Sequence, residues 1–132
     1  MSSEFPSAVP EIPVGNIDAA VRYYQDSLGF TLDWCAEDLG LAGISRGRCR
    51  MFLASPEFRK GRGNTGPTMT WINLDSKEAV DELHRTWTAG HARLAADPES
   101  KPWGLHEFTA ADLDGNLFRV FYDFATAERL ES

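Results

Sequence analysis

Apolar positions along this chain follow two periods, and the order of those periods occurs twice. VPEIPV, residues 9–14, alternates as a strand does, with Ile12 and Val14 on one side and Val9 and Glu11 on the other. NIDAAVRYYQDSLG, residues 16–29, then switches to helical spacing. Its stripe is Ile17, Ala20, Val21, Tyr24 and Leu28, with Asn16 as N-cap and Gly29 as the C′ terminator. FTLDWCAE, GLAGISRG and RCRMFLAS read as three further strands, turning at Gly40 and at Arg46-Gly47.

The second half repeats the pattern. TMTWINL is a strand and DSKEAVDELHRTWTAG a helix, with Ala79, Val80, Leu83 and Trp87 as its stripe. Asp75 with Glu78 fits a capping box there, and Gly90 ends the helix. HARLAAD, HEFTAAD and NLFRVFYD supply the remaining strands. Ala20-Val21 and Ala79-Val80 stand 59 positions apart (79 − 20), and Gly29 and Gly90 stand 61 apart (90 − 29). Such a spacing predicts two copies of one β-α-β-β-β unit. The expected class is α+β: one domain over 1–132, with modules of about 7–56 and 66–124, each a curved mixed sheet with its helix on the outer face.

A helix covers one face of each sheet, so the other face is a cleft or an interface. On TMTWINL, Ile72 and Leu74 belong to the core, which sends Met69, Trp71 and Asn73 to the open side. On NLFRVFYD, Phe118, Val120 and Tyr122 are core, leaving Leu117, Arg119 and Phe121 open, and on VPEIPV the open pair is Val9 and Glu11.

A length of 132 residues, 42% hydrophobic and 25% charged, suits one domain with a real core. The formal charge is −7, from 20 acidic and 13 basic residues. That balance argues against nucleic acid and anionic membrane surfaces and suits a cationic ligand. Cys35 and Cys49 lie in predicted strands with no CxxC spacing and read as buried, reduced thiols. No leader pattern opens the chain and no apolar run reaches the ~20 residues of a membrane span, so a cytoplasmic location is expected. EFRKGRGNTG, residues 57–66, lacks the GKS or GKT ending of a phosphate loop and reads as a mobile surface loop. The first few residues and the tail ATAERLES read as frayed or loosely docked ends.

VGNIDAAVRYYQDSLGF, PTMTWINL and PWGLHEFTAADLDGNLFRVFYD, in that order, resemble the vicinal oxygen chelate superfamily. Its members include glyoxalase I, extradiol dioxygenases, fosfomycin-inactivating enzymes and bleomycin resistance proteins. The helix exit YYQDSLGF and the D-x-D-G-N turn, Asp112 to Asn116, mark the superfamily as a whole. SAVP and PWG…EF resemble the bleomycin resistance proteins more narrowly. In the superfamily's metal enzymes the ligands occupy positions that match Val9, Met69 and Arg119 here. An aliphatic chain, a thioether and a cation do not make a usual divalent site. His106 and Glu107 are strand neighbours and point to opposite faces, so they cannot chelate together. His84 and His91 read as packing and surface residues. No catalytic residue, metal or cofactor is therefore expected.

The resemblance instead implies a metal-free, arm-exchanged homodimer that sequesters a planar cationic glycopeptide of the bleomycin or phleomycin type. The drug would lie in two clefts at the subunit interface. The matching stacking positions are Trp34, Trp71 and Trp103 with Gly104. Asp33 and Glu107 match carboxylates, Leu39 a rim position usually aromatic, and Met69 and Arg119 complete the cleft. Two other readings are a metal-dependent lyase, transferase or dioxygenase, and a scaffold for another aromatic metabolite. Leu39, together with Arg46, Arg48 and Arg50, leaves the identity of the ligand open.

Overall fold

A computed structural model describes residues 5–131. The first half contains β1 (Glu11–Pro13), α1 (Ile17–Asp26), β2 (Thr31–Ala36), β3 (Leu41–Arg46), β4 (Cys49–Ala54) and a short α2 (Pro56–Arg59). The second contains β5 (Met69–Asn73), α3 (Lys77–Ala89), β6 (Arg93–Ser100), β7 (Leu105–Ala111), β8 (Leu117–Asp123) and α4 (Phe124–Glu131). Two four-stranded sheets result, ordered β1-β4-β3-β2 and β5-β8-β7-β6. In each, the strand before the helix lies parallel to the last strand, and the other pairs are antiparallel. The α+β architecture and the repeated order are those expected from the sequence.

One apolar core runs through both halves. Ile12, Tyr24, Ile44 and Leu53 from the first half are buried in it, as are Val80, Trp87, Phe108, Phe118 and Val120 from the second. Tyr24 meets Phe30 and Phe118 edge-to-face, at centroid distances of 5.8 and 6.0 Å. The ends of the two long helices touch. Trp87 Nε1 donates to the Leu28 carbonyl (3.0 Å), and a Cβ on Gly90 would lie 2.9 Å from the Ser27 carbonyl oxygen. Tyr23 ties the halves again, donating to the Ala111 carbonyl (2.7 Å) and accepting from the Arg93 amide (2.8 Å).

The D-x-D-G-N turn is the polar counterpart of that core. Asp112 and Asn116 are both buried. Asp112 Oδ1 accepts from the Asp114 and Asn116 amides, and its Oδ2 accepts from the Tyr24 hydroxyl (2.7 Å) and from Asn116 Nδ2. Asn116 Nδ2 also donates to the Pro13 carbonyl (2.8 Å), while its Oδ1 accepts from the Thr68 amide (2.9 Å). Every buried polar atom named here has a partner, as low-dielectric surroundings demand.

Five local expectations need correction. Cys35 is exposed instead of buried, because β2 is the edge strand of its sheet. The N-cap of α3 is Ser76, whose hydroxyl accepts from the Ala79 amide (3.0 Å); the helix begins one residue later than a capping box on Asp75 requires. Helix α1 ends at Asp26 with Ser27 as its C-cap, so Gly29, at φ +75°, lies two positions past the cap instead of one. The 57–66 segment starts within α2 and is pinned by Arg59, which donates to the carbonyls of Ala54, Asn64 and Val14. The tail forms α4 because Asp123 accepts from both the amide and the hydroxyl of Thr126 (2.8 Å each), an N-terminal cap with no long apolar stripe to announce it.

Candidate ligand-binding faces

Each sheet turns a face without helix cover to solvent, and each such face carries an aromatic pair beside an arginine. On the first sheet, β2 and β3 lose register between Leu32 and Trp34. This bulge allows the consecutive residues Asp33 and Trp34 to reach the same side. The Trp34 indole lies flat over Gly43, where a Cβ would meet the ring at 2.5 Å. It stands edge-to-face with Phe52, at 5.1 Å between centroids. Asp33 Oδ1 accepts from the Ser45 hydroxyl (3.0 Å), and the Arg50 guanidinium is 5.9 Å from the Phe52 ring centre. Phe52 was not among the sequence candidates. The signal was available, because Met51 and Leu53 are core and Phe52 alternates with them.

On the second sheet, Trp71 is paired in register with Arg119, and Glu107 with Phe121. Trp71 and Phe121 stand edge-to-face at 5.5 Å, and the Arg119 guanidinium lies 4.9 Å from the centre of the Trp71 ring. Met69 follows one alternation away, paired with Leu117. Glu107 is only 5% exposed, and its Oε2 accepts from Trp103 Nε1 (3.2 Å). Trp103 itself is 62% exposed, in the turn between β6 and β7. Gly104 takes φ +92° there, and a Cβ would collide with that of Ala125 on α4 at 2.5 Å, so the turn requires glycine.

The second sheet thus brings together Met69, Trp71, Glu107 and Arg119, with Trp103 and Gly104 at its rim. Asp33 and Trp34 stand on the first sheet, and no ring contact or hydrogen bond among the described residues joins them to the second group. Leu39 is exposed in the turn between β2 and β3. Tryptophans at 37% (Trp34) and 46% (Trp71) exposure, beside the 62% of Trp103, form an apolar surface that burial within one chain does not explain.

His106 and His84 serve packing, while His91 is exposed at the surface. His106 Nε2 pairs with Asp81 Oδ1 (2.8 Å) and Nδ1 with the Ser100 hydroxyl (2.8 Å), which fastens β7 to α3 on the side opposite Glu107. His84 lies edge-to-face on Phe108, at 5.2 Å.

These features define a member of a known class: the chain belongs to the Glyoxalase/Bleomycin resistance protein/Dioxygenase superfamily, whose model matches residues 8–120. Its curated relatives are more particular. Proteins named bleomycin resistance protein from Geobacillus stearothermophilus and Staphylococcus aureus are 26% identical over 124 residues, covering 86% of this chain and 94% of theirs. Among solved structures, a glyoxalase/bleomycin resistance protein/dioxygenase from Nocardioides superposes with a TM-score of 0.74 at 18% identity, over 93% of this chain and 87% of that one. A bleomycin-binding protein complexed with bleomycin superposes at 0.71 and 21% identity, over 89% and 98%. A lactoylglutathione lyase from Agrobacterium tumefaciens gives 0.70 at 22%, over 92% and 98%. At these identities the structural likeness speaks to the fold.

The three positions matched to the superfamily's metal ligands do not suit a divalent metal. Val9 offers no donor atom, Met69 only a soft sulfur, and Arg119 a fixed positive charge held over an indole.

Proposed function

We propose that this protein binds and sequesters a planar, cationic glycopeptide drug of the bleomycin type, without altering it. The observation that carries the reading is the exposed indole set Trp34, Trp71 and Trp103 on the open sheet faces, with the Glu107 carboxylate hydrogen-bonded to the last of them. Flat heteroaromatic groups stack on such rings for about 0.5–1.5 kcal/mol per pair, and cationic groups gain from both carboxylate and π-faces. A net charge of −7 draws a cationic ligand toward the chain. The curated relatives bear the name of this resistance, which supports the same direction.

Two open faces on one chain also support a homodimer. A two-fold pair that sets the first sheet of one protomer against the second sheet of its partner would make two equivalent clefts. Each cleft would then hold Trp34 from one subunit and Trp71 with Trp103 from the other.

Titration of tryptophan emission with metal-free bleomycin and phleomycin tests the reading. Saturable quenching near one drug per chain is expected, with the drug recovered at unchanged mass. A flat titration at high micromolar drug would overturn binding. Stoichiometric zinc, iron or manganese in protein purified without chelator would instead favour a metal-dependent enzyme.

A further inference from the structure

We propose that the groove between the β3–β4 hairpin and α3 is a second binding site, for a small apolar molecule carrying a single carboxylate. The groove has a volume of about 650 Å³, within the range of small-molecule sites. Phe30, Ile72, Leu74, Leu83 and Trp87 give it an apolar floor. The one polar atom of that floor's indole is already used, since Trp87 Nε1 donates to the Leu28 carbonyl at 3.0 Å. None of Trp34, Trp71 and Trp103 lines it; Asn73, at the end of β5, is the one open-side residue that reaches it, so the site lies beside the drug-binding faces and not among their indoles.

Charge decides the class of ligand. Arg46 and Arg48 stand at the mouth, in the hairpin run RGRCR. Arg46 is oriented by a 2.7 Å bond from Nη1 to the Leu28 carbonyl, and among the described residues neither arginine has a carboxylate partner. Glu82, the one acid on the rim, is engaged by Arg85 through Nη2 (2.6 Å) and Nε (3.2 Å). The mouth is therefore cationic on a chain of net charge −7. Two guanidiniums without a carboxylate partner above an apolar trough match a carboxylate head and a hydrocarbon body. The same pair disfavours the cationic drug, which makes the two sites chemically opposite.

Cys49 lines this groove and reports on it. Burial pushes its thiol up from the ordinary value, so alkylation is measured at alkaline pH. In the full chain with Cys35→Ser, Cys49 is the only thiol. Decanoate is the probe, decanol its uncharged control and iodoacetamide the reagent. Decanoate is expected to slow alkylation saturably, and Arg48→Glu to raise the half-protecting concentration by about tenfold, the scale of one lost charge-assisted contact, at an unchanged melting temperature. Decanol should protect far more weakly, and bleomycin should leave the rate unaltered whether or not it binds elsewhere. No protection at millimolar decanoate overturns the proposal. So does protection that decanol matches and Arg48→Glu leaves unchanged, or protection by bleomycin.

Discussion

At the scale of single residues, the open faces depend on a few contacts that can be removed one at a time. Trp103 is exposed and adds little to the core, but its indole N–H serves the buried Glu107, so Trp103→Ala should cost about 1 kcal/mol of stability without unfolding the chain. Drug affinity should fall by about 1–3 kcal/mol, the cost of one stacking anchor. Fluorescence titration beside thermal melting separates the two effects; a melt that collapses would show Trp103 to be structural. Gly43 is a sharper probe. A methyl there has no room beneath the Trp34 ring, so Gly43→Ala must push the indole off the sheet, at about 1–3 kcal/mol of overpacking. The expected outcome is weaker drug binding with a modest stability loss, read by titration and urea denaturation. Of the candidate residues, those on regular strands were legible from alternation alone: Met69, Trp71 and Arg119 lie on the side that Ile72 and Val120 leave free. Asp33 and Trp34 were not, because strict alternation puts neighbours on opposite faces. The bulge that unites them leaves no mark in the local pattern.

At the scale of elements, the repeated order of strands and helix was readable because each apolar period is long enough to be unambiguous. The short elements were not. Helix α2 has four residues and α4 is announced only by Asp123 and Thr126, so tertiary contacts and single caps decide them. Nor does periodicity show that the D-x-D-G-N turn joins β1, α1 and the segment before β5. Asn116→Ala removes the partners of the Pro13 carbonyl and the Thr68 amide and leaves Asp112 with fewer donors in the interior. A loss of about 3 kcal/mol is expected in urea denaturation, from several buried groups left unpaired together. The same turn sets an alkaline limit. Burial first, then the charge and hydrogen bond of Asp112, raise the Tyr24 phenol far above its ordinary value, and burial raises Tyr23 as well. A raised value means the folded state holds the proton more tightly than the unfolded chain does. That contribution is complete below the ordinary tyrosine value of about 10 and declines as pH climbs beyond it. Unfolding midpoints should therefore fall from neutral pH to about 10.5, and Tyr24→Phe, less stable at neutrality by about 1 kcal/mol, should fall less steeply.

At the scale of the whole molecule, the question is whether the two aromatic faces meet within one chain or between two. Each half hides its helix-side face in the common core, so the open faces cannot close on each other without breaking the Trp87–Leu28 and Tyr23–Arg93 ties that fix the halves. A second protomer satisfies both faces at once, and the sharpest test is mixing. Trp34→Ala damages one wall of every cleft in its own dimer, and Trp103→Ala the opposite wall. If walls come from different subunits, a mixed dimer of the two variants has one cleft lacking both rings and one cleft intact. Mixing two weak binders should then restore near-native affinity at up to one drug per mixed dimer, with sedimentation velocity verifying that dimers have formed and exchanged. Were each chain to carry a complete cleft of its own, every cleft in the mixture would still lack a ring, and no tight site would emerge.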